Sequence, residues 1–138
     1  MSLVAATASW VWCGPGRLRQ GLWVVAEAGR VTGLADRPPA GARRLELGQG
    51  LLLPGLVNAH THLELSFLQG LVPEPAGDFL AWVEGLVGSR PGYDRERAKA
   101  AALRAAQQAA ETGTALAGDI TNTGRAAWAW QQAGVGAV

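Results

Sequence analysis

Leu51-Leu52-Leu53-Pro54-Gly55-Leu56-Val57-Asn58-Ala59-His60-Thr61-His62 is the stretch on which the reading of this chain turns. Up to the first histidine it is apolar apart from Asn58, and Pro54-Gly55 allows a change of direction within it. Such a run is expected to form a strand over Leu51 to Ala59, buried on both faces as in a parallel sheet covered by helices. His60 and His62, the only histidines among 138 residues, stand at its end. Side chains at i and i+2 share one face of a strand, and Asn58 has the same parity. Two imidazoles so placed suit one divalent cation, which in such sites lowers the pKa of bound water toward neutrality. The plain alternative is two ordinary polar residues at a strand end. The apolar strand and the preceding Pro-Gly favour the metal.

Upstream, residues 1–53 read as a β-rich segment. Leu3 to Trp12 ends in β-branched and aromatic residues, and Leu22 to Glu27 with Arg30 to Leu34 flank Ala28-Gly29 as a hairpin does. Pro38-Pro39-Ala40-Gly41 breaks the chain, and Arg43 to Leu47 alternates polar and apolar side chains.

Downstream, over residues 54–138, the period becomes helical. Asp78 is placed to cap a helix from Phe79 to Val87 with Phe79, Trp82, Val83 and Leu86 on one face. Asp94 is placed to cap a second, alanine-rich helix ending near Thr112, where Gly113 suits a stop. Thr114 to Ile120 reads as a strand, Ala126 to Ala133 as a helix stopped by Gly134, and Val135 to Val138 as a strand beginning. Alternation of this sort predicts parallel β/α units. A closed eight-stranded barrel needs about 250 residues. The expected fold class is therefore α/β: two to three β/α units of a TIM-type barrel, incomplete, after a β-rich sandwich segment.

The bulk numbers exclude more than they indicate. A formal net charge of +1 offers no electrostatic footprint for nucleic acid or an anionic membrane. Leu3 to Trp12 is too short to span a bilayer and no positive charge precedes it, so a cytoplasmic location is expected. Cys13 is alone, leaving no intramolecular disulfide, and is expected to be a buried small residue. Lys99, the only lysine, falls mid-helix among alanines and reads as solvated. Trp128 and Trp130 cannot share one helix face.

With these residues in view, Leu52 to His62 is similar to the first-strand signature of the amidohydrolase superfamily, in its cytosine-deaminase-like branch. Ala28-Gly29-Arg30-Val31 and Arg44-Leu45-Glu46-Leu47 resemble that branch's N-terminal segment. Thr112-Gly113-Thr114 before Gly118-Asp119-Ile120 resembles its second barrel strand. His62-Leu63-Glu64-Leu65-Ser66, followed by Gly77-Asp78-Phe79 and Trp82, resembles the aminodeoxyfutalosine deaminases, which remove the exocyclic amine of an adenine-like base. Deaminases of S-adenosylhomocysteine and methylthioadenosine share the first motif and usually continue differently after the second histidine.

The resemblance implies one divalent metal ion, zinc foremost with iron the alternative, held by His60 and His62. It also implies a third histidine and an aspartate from later strands, and a glutamate and histidine that handle protons. None of these has a matching position here, so no catalytic residue is assigned and the 138-residue chain alone is expected to be inactive. Glu64 and Asp119 are the carboxylates near strand ends and, with Trp82, are the candidates for substrate binding. Their bland readings are a loop or cap carboxylate for Glu64, a helix cap for Asp119 and core packing for Trp82. The implied partner is a small nucleoside-like substrate, with a homo-oligomer left open. Hydrolysis of a cyclic amide and a non-catalytic truncated module are the competing functions.

Overall fold

A computed structural model describes residues 2–73, 77–89 and 94–138. The chain divides into two compact units, Met1–Pro54 and Gly55–Val138.

The first unit holds β1 (Leu3–Thr7), β2 (Trp10–Trp12), β3 (Leu18–Arg19), β4 (Trp23–Glu27), β5 (Arg30–Ala35), β6 (Arg43–Glu46) and β7 (Leu51–Leu52). They form two small sheets, in the orders β5-β4-β1-β6 and β3-β2-β7. β4 and β5 are the expected hairpin. Its turn puts Ala28 at φ 51° and Gly29 at φ 79°, the doubly left-handed geometry that matches strand twist. Ala28 is the only non-glycine with positive φ among the described residues, and that costs about 1–2 kcal/mol. β6 lies parallel to β1, and β7 parallel to β2, pairings that local alternation does not reveal. Ala5, Val11, Leu22 and Val25 are the buried residues here, whereas Cys13 is only half-buried.

The second unit is a β/α alternation. It runs β8 (Leu56–Thr61), a 3₁₀ segment (Leu63–Leu68), α1 (Phe79–Gly88), α2 (Arg95–Glu111), β9 (Thr114–Asp119), α3 (Ala127–Ala133) and β10 (Gly136–Ala137). The three strands form one parallel sheet in the order β10-β9-β8. The caps are those the sequence signals: Asp78 accepts from the Ala81 N–H, Asp94 from the N–H groups of Glu96 and Arg97, and Gly134 ends α3 at φ 71°.

The alanines of α2 serve packing as well as propensity. Ala102 and Ala106 join Leu63, Ala117, Ala126, Ala129, Trp130 and Val135 in the main core. Short side chains let α2 and α3 lie close over β9, and Trp130, 2% exposed, fills the remaining space. Phe67, Leu68 and Ala101 form a second cluster.

Three expectations need correction. Leu51 to Ala59 is not one strand: Leu51–Leu52 pairs with β2, Leu56–Thr61 pairs with β9, and Leu53-Pro54-Gly55 intervenes. Pro54 has no N–H for a ladder, and a Cβ on Gly55 would collide with the Ala115 Cβ. Nor is the strand buried on both faces. β8 is an edge strand paired with β9 alone among the described residues, and Leu56 and Val57 are 51% and 65% exposed. Similarly, no residue of α1 is buried, and Phe79 is 70% exposed.

The β8–β9 approach depends on Gly118. Its built Cβ would stand 2.7 Å from the Ala59 carbonyl oxygen, where the register of the pair shifts between Asn58 and Thr61. Gly118→Ala is therefore expected to lower stability by about 1–3 kcal/mol. Gly88→Ala, with nothing within 4 Å of the added methyl, is expected to be neutral or slightly stabilising. Urea unfolding of both variants checks the contrast, and matching midpoints would refute the close approach.

Candidate metal centre

His60 and His62 emerge at the C-terminal end of β8, both exposed. Their ring centres are 5.0 Å apart with planes at 84°. Two imidazoles sharing a cation tetrahedrally at a Zn–N distance of about 2.0–2.1 Å bring their ring centres to about 5 Å. The pair as it stands meets that spacing. Asn58, of the same parity, is turned back on its own strand, where Oδ1 accepts from the His60 N–H at 3.1 Å.

His62 is the better oriented of the two candidate ligands. Its Nδ1 lies 2.8 Å from the Ile120 carbonyl oxygen. A carbonyl oxygen only accepts, so Nδ1 is the donor, and in the neutral ring Nε2 then presents its lone pair. Metal-ligating histidines generally have their second nitrogen held in this way. The residues fit a divalent cation as two of its ligands. Among the described residues no group of three or more His, Cys, Asp and Glu side chains completes the set.

The chain beyond β8 is tied to the chain beyond β9 residue by residue. The Thr61 carbonyl accepts from the Ile120 N–H at 2.8 Å, and the Leu63 N–H donates to Asp119 Oδ1 at 2.9 Å. Asp119 Oδ2 accepts from the buried Trp130 Nε1 at 3.0 Å, so this half-buried carboxylate joins the strand end to the core. It does not cap α3, whose N-cap is Ala126.

Glu64 binds the loop after β9. Its Oε2 accepts from the hydroxyls of Thr121 and Thr123, each at 2.7 Å, and from the Thr123 N–H at 3.2 Å. Its Oε1 accepts from the Asn122 N–H at 3.0 Å and Nδ2 at 3.2 Å. Burial pushes the carboxyl pKa up, but the bonds from Thr121, Asn122 and Thr123 outweigh it and bring the value down to about 2.

The structure thus brings four of the five residues singled out in the sequence to the ends of two adjacent strands. Trp82 is not among them: it is half-buried on α1, its ring 5.8 Å from that of Phe79. What sequence reasoning missed is the part played by Ile120 and by Thr121-Asn122-Thr123. The available signal was a run of hydroxyl and amide side chains directly after a strand. Lys99 is exposed on α2 as expected, and its Nζ sits 5.4 Å from the centre of the Trp128 ring. A cavity of about 320 Å³ lies beside the site, lined among others by Glu64, Phe67, Lys99, Arg125 and Trp128, but neither histidine borders it.

Comparison with known proteins identifies the family of the chain. Residues 51–134 match the model of the Amidohydrolase family. A 5-methylthioadenosine/S-adenosylhomocysteine deaminase of Nitratidesulfovibrio vulgaris is 30% identical over 104 residues, covering 70% of this chain and 23% of that protein. Among solved structures, a guanine deaminase from C. acetobutylicum with bound guanine superposes with a TM-score of 0.75 at 13% identity, over 99% of this chain and 35% of its own. An adenosine deaminase from Xanthomonas campestris with bound zinc gives 0.71 at 19% identity, over 98% of this chain and 33% of its own. The chain spans about a quarter to a third of the length of these proteins. It belongs to the amidohydrolase family.

The depressed Glu64 pKa has a consequence for stability. A carboxyl whose pKa falls from 4.5 to about 2 on folding adds stability that is complete above pH 4.5 and is lost as pH falls toward 2. Glu64→Gln is therefore expected to be less stable than the parent at pH 6, with the difference shrinking as pH falls from 4.5 toward 2. Denaturant midpoints at stepped pH measure it, and a difference independent of pH would refute the assignment.

Proposed function

We propose that this member of the amidohydrolase family supplies the first-strand part of a metal-dependent hydrolytic deaminase that acts on an adenine-like nucleoside. One observation carries the reading: His60 and His62 stand at the end of a parallel strand with metal-compatible ring spacing, and His62 has Nε2 left for a ligand. The likeness to a relative named as a methylthioadenosine/S-adenosylhomocysteine deaminase supports the substrate class. The Glu64 and Trp82 flanks favour an aminodeoxyfutalosine-type nucleoside within that class. In the reaction, water adds to the amine-bearing ring carbon, the C–N bond breaks, and the products are a ring carbonyl and ammonia.

In this reading His60 and His62 hold one divalent cation, zinc before iron. When bound, the ion supplies Lewis-acid activation of water. The surrounding architecture is that of a TIM-type barrel, whose sites gather at the C-terminal strand ends where these residues stand. Asp119 and Glu64 border the same ends with their carboxylates committed to Leu63, Trp130 and residues 121–123. Trp82, half-exposed beside Phe79, is the aromatic candidate for contact with a planar base. Catalytic zinc usually has three protein ligands. Two histidines supply part of such a set, and in this reading the 138-residue chain binds metal without giving turnover. Among the described residues no helix is long and apolar enough to cross a membrane.

The 138-residue chain is expected to bind zinc with one-to-one stoichiometry and to release no ammonia from S-adenosylhomocysteine, methylthioadenosine or adenosine. His60→Ala and His62→Ala are each expected to weaken zinc binding at least tenfold. Any longer product of the same reading frame is expected to release ammonia and to lose that activity on either substitution. Zinc affinity unchanged in both variants would sink the metal role, and full turnover by residues 1–138 would sink the division of the site.

A further inference from the structure

We infer that Glu64 is a positioning residue for the cation site: by gripping the loop after β9 it holds the Ile120 carbonyl against His62 Nδ1, and so keeps His62 Nε2 unprotonated and directed to a metal ion. The inference rests on the metal-site reading above and identifies a residue outside the ligand pair that sets its affinity.

The geometry begins with four consecutive residues. Thr61, His62, Leu63 and Glu64 each bond to the segment from Asp119 to Thr123. The Ile120 carbonyl belongs to the peptide plane that joins Ile120 to Thr121, so its direction is set from both sides. On the upstream side the Ile120 N–H is fixed to the Thr61 carbonyl at 2.8 Å. On the downstream side the Thr121 hydroxyl is held by Glu64 Oε2 at 2.7 Å, and the Asn122 N–H by Oε1 at 3.0 Å. Thr121 Oγ1 in turn accepts from the N–H groups of Thr123 and Gly124, at 3.3 and 3.0 Å, which closes the loop around the carboxylate.

Restraint is needed because the place is wet. Ile120 is 51% exposed and His62 is exposed, so water competes for both ends of their hydrogen bond. A histidine side chain left to water favours the proton on Nε2, the nitrogen that must be bare to bind a metal. A fixed carbonyl opposite Nδ1 reverses that preference. Asp119 does not replace Glu64 in this task, because its two oxygens are spent on Leu63 and Trp130, upstream of the Ile120–Thr121 peptide. His60, whose ring meets His62 edge-on, lies outside this restraint and serves as an internal reference.

Two-bond ¹H–¹⁵N correlation spectra of the ¹⁵N-histidine-labelled 138-residue chain report each tautomer without metal, and zinc titration against a chelator reports affinity. The parent is expected to show His62 protonated at Nδ1. Glu64→Ala and Thr121→Val are expected to move His62 toward the Nε2-protonated form, leave His60 unchanged, and weaken zinc binding about 10–100-fold. Thr121→Ser, which keeps the hydroxyl, is expected to behave as the parent. Circular dichroism identifies a variant that has merely unfolded. If Glu64→Ala does so, Thr121→Val, which removes one hydroxyl, decides.

A folded Glu64→Ala or Thr121→Val chain with the parent tautomer and affinity would overturn the inference while leaving the metal reading intact. Absence of zinc binding by the parent, with the tautomer shift still present in the variants, would overturn the metal reading and leave Glu64 as the holder of the His62 tautomer.

Discussion

The close parallel approach of β8 and β9 is the constraint on which the rest of the second unit depends. Gly118 sits so near the Ala59 carbonyl that no side chain fits between the strands. Through that gap the Thr61 carbonyl reaches the Ile120 N–H, and the His62 ring reaches the Ile120 carbonyl. Widen it by a methyl group and each of these bonds must lengthen or turn. The same register puts Asp119 beside Leu63, and the bond from Asp119 to Trp130 then ties the strand end to the core. Site and core are held by one carboxylate with an oxygen for each.

Much of this architecture is legible in the amino-acid order because it is local. Asp78 and Asp94 announce helices, Gly113 and Gly134 end them, and Ala28-Gly29 turns a hairpin; each device acts within a few residues. Burial is a different matter. Leu56 and Val57 are apolar and exposed, since burial depends on what covers a face and β8 has one neighbour among the described residues. The parallel pairing of β1 with β6 was equally out of reach, because it joins segments about forty residues apart with no turn to mark it.

The candidate site divides in the same way. His60 and His62 are recognisable because strand geometry alone puts them on one face. Glu64 and Asp119 are recognisable as carboxylates near strand ends, but their partners are not. Nothing in the spacing of Glu64 indicates that it collects donors from residues 57 to 59 positions further along. Once those bonds are seen, its acidity and its place in the structure have one origin: five donors converge on a single carboxylate and favour its charged form.

Strand geometry puts two imidazoles at i and i+2 on one face but does not decide which nitrogen of each is bare. That choice belongs to whatever faces the other side of the ring, and for His62 it is a backbone carbonyl of the neighbouring strand's end. The end of β9 therefore orients a ring of the candidate site through a backbone carbonyl. This gives a physical reason why a His-x-His pair carries little meaning by itself and considerable meaning when a second parallel strand ends in an ordered polar loop beside it. The candidate site is the pair of strand ends, and the sequence shows it only to a reader who takes Thr61–Glu64 and Asp119–Thr123 together.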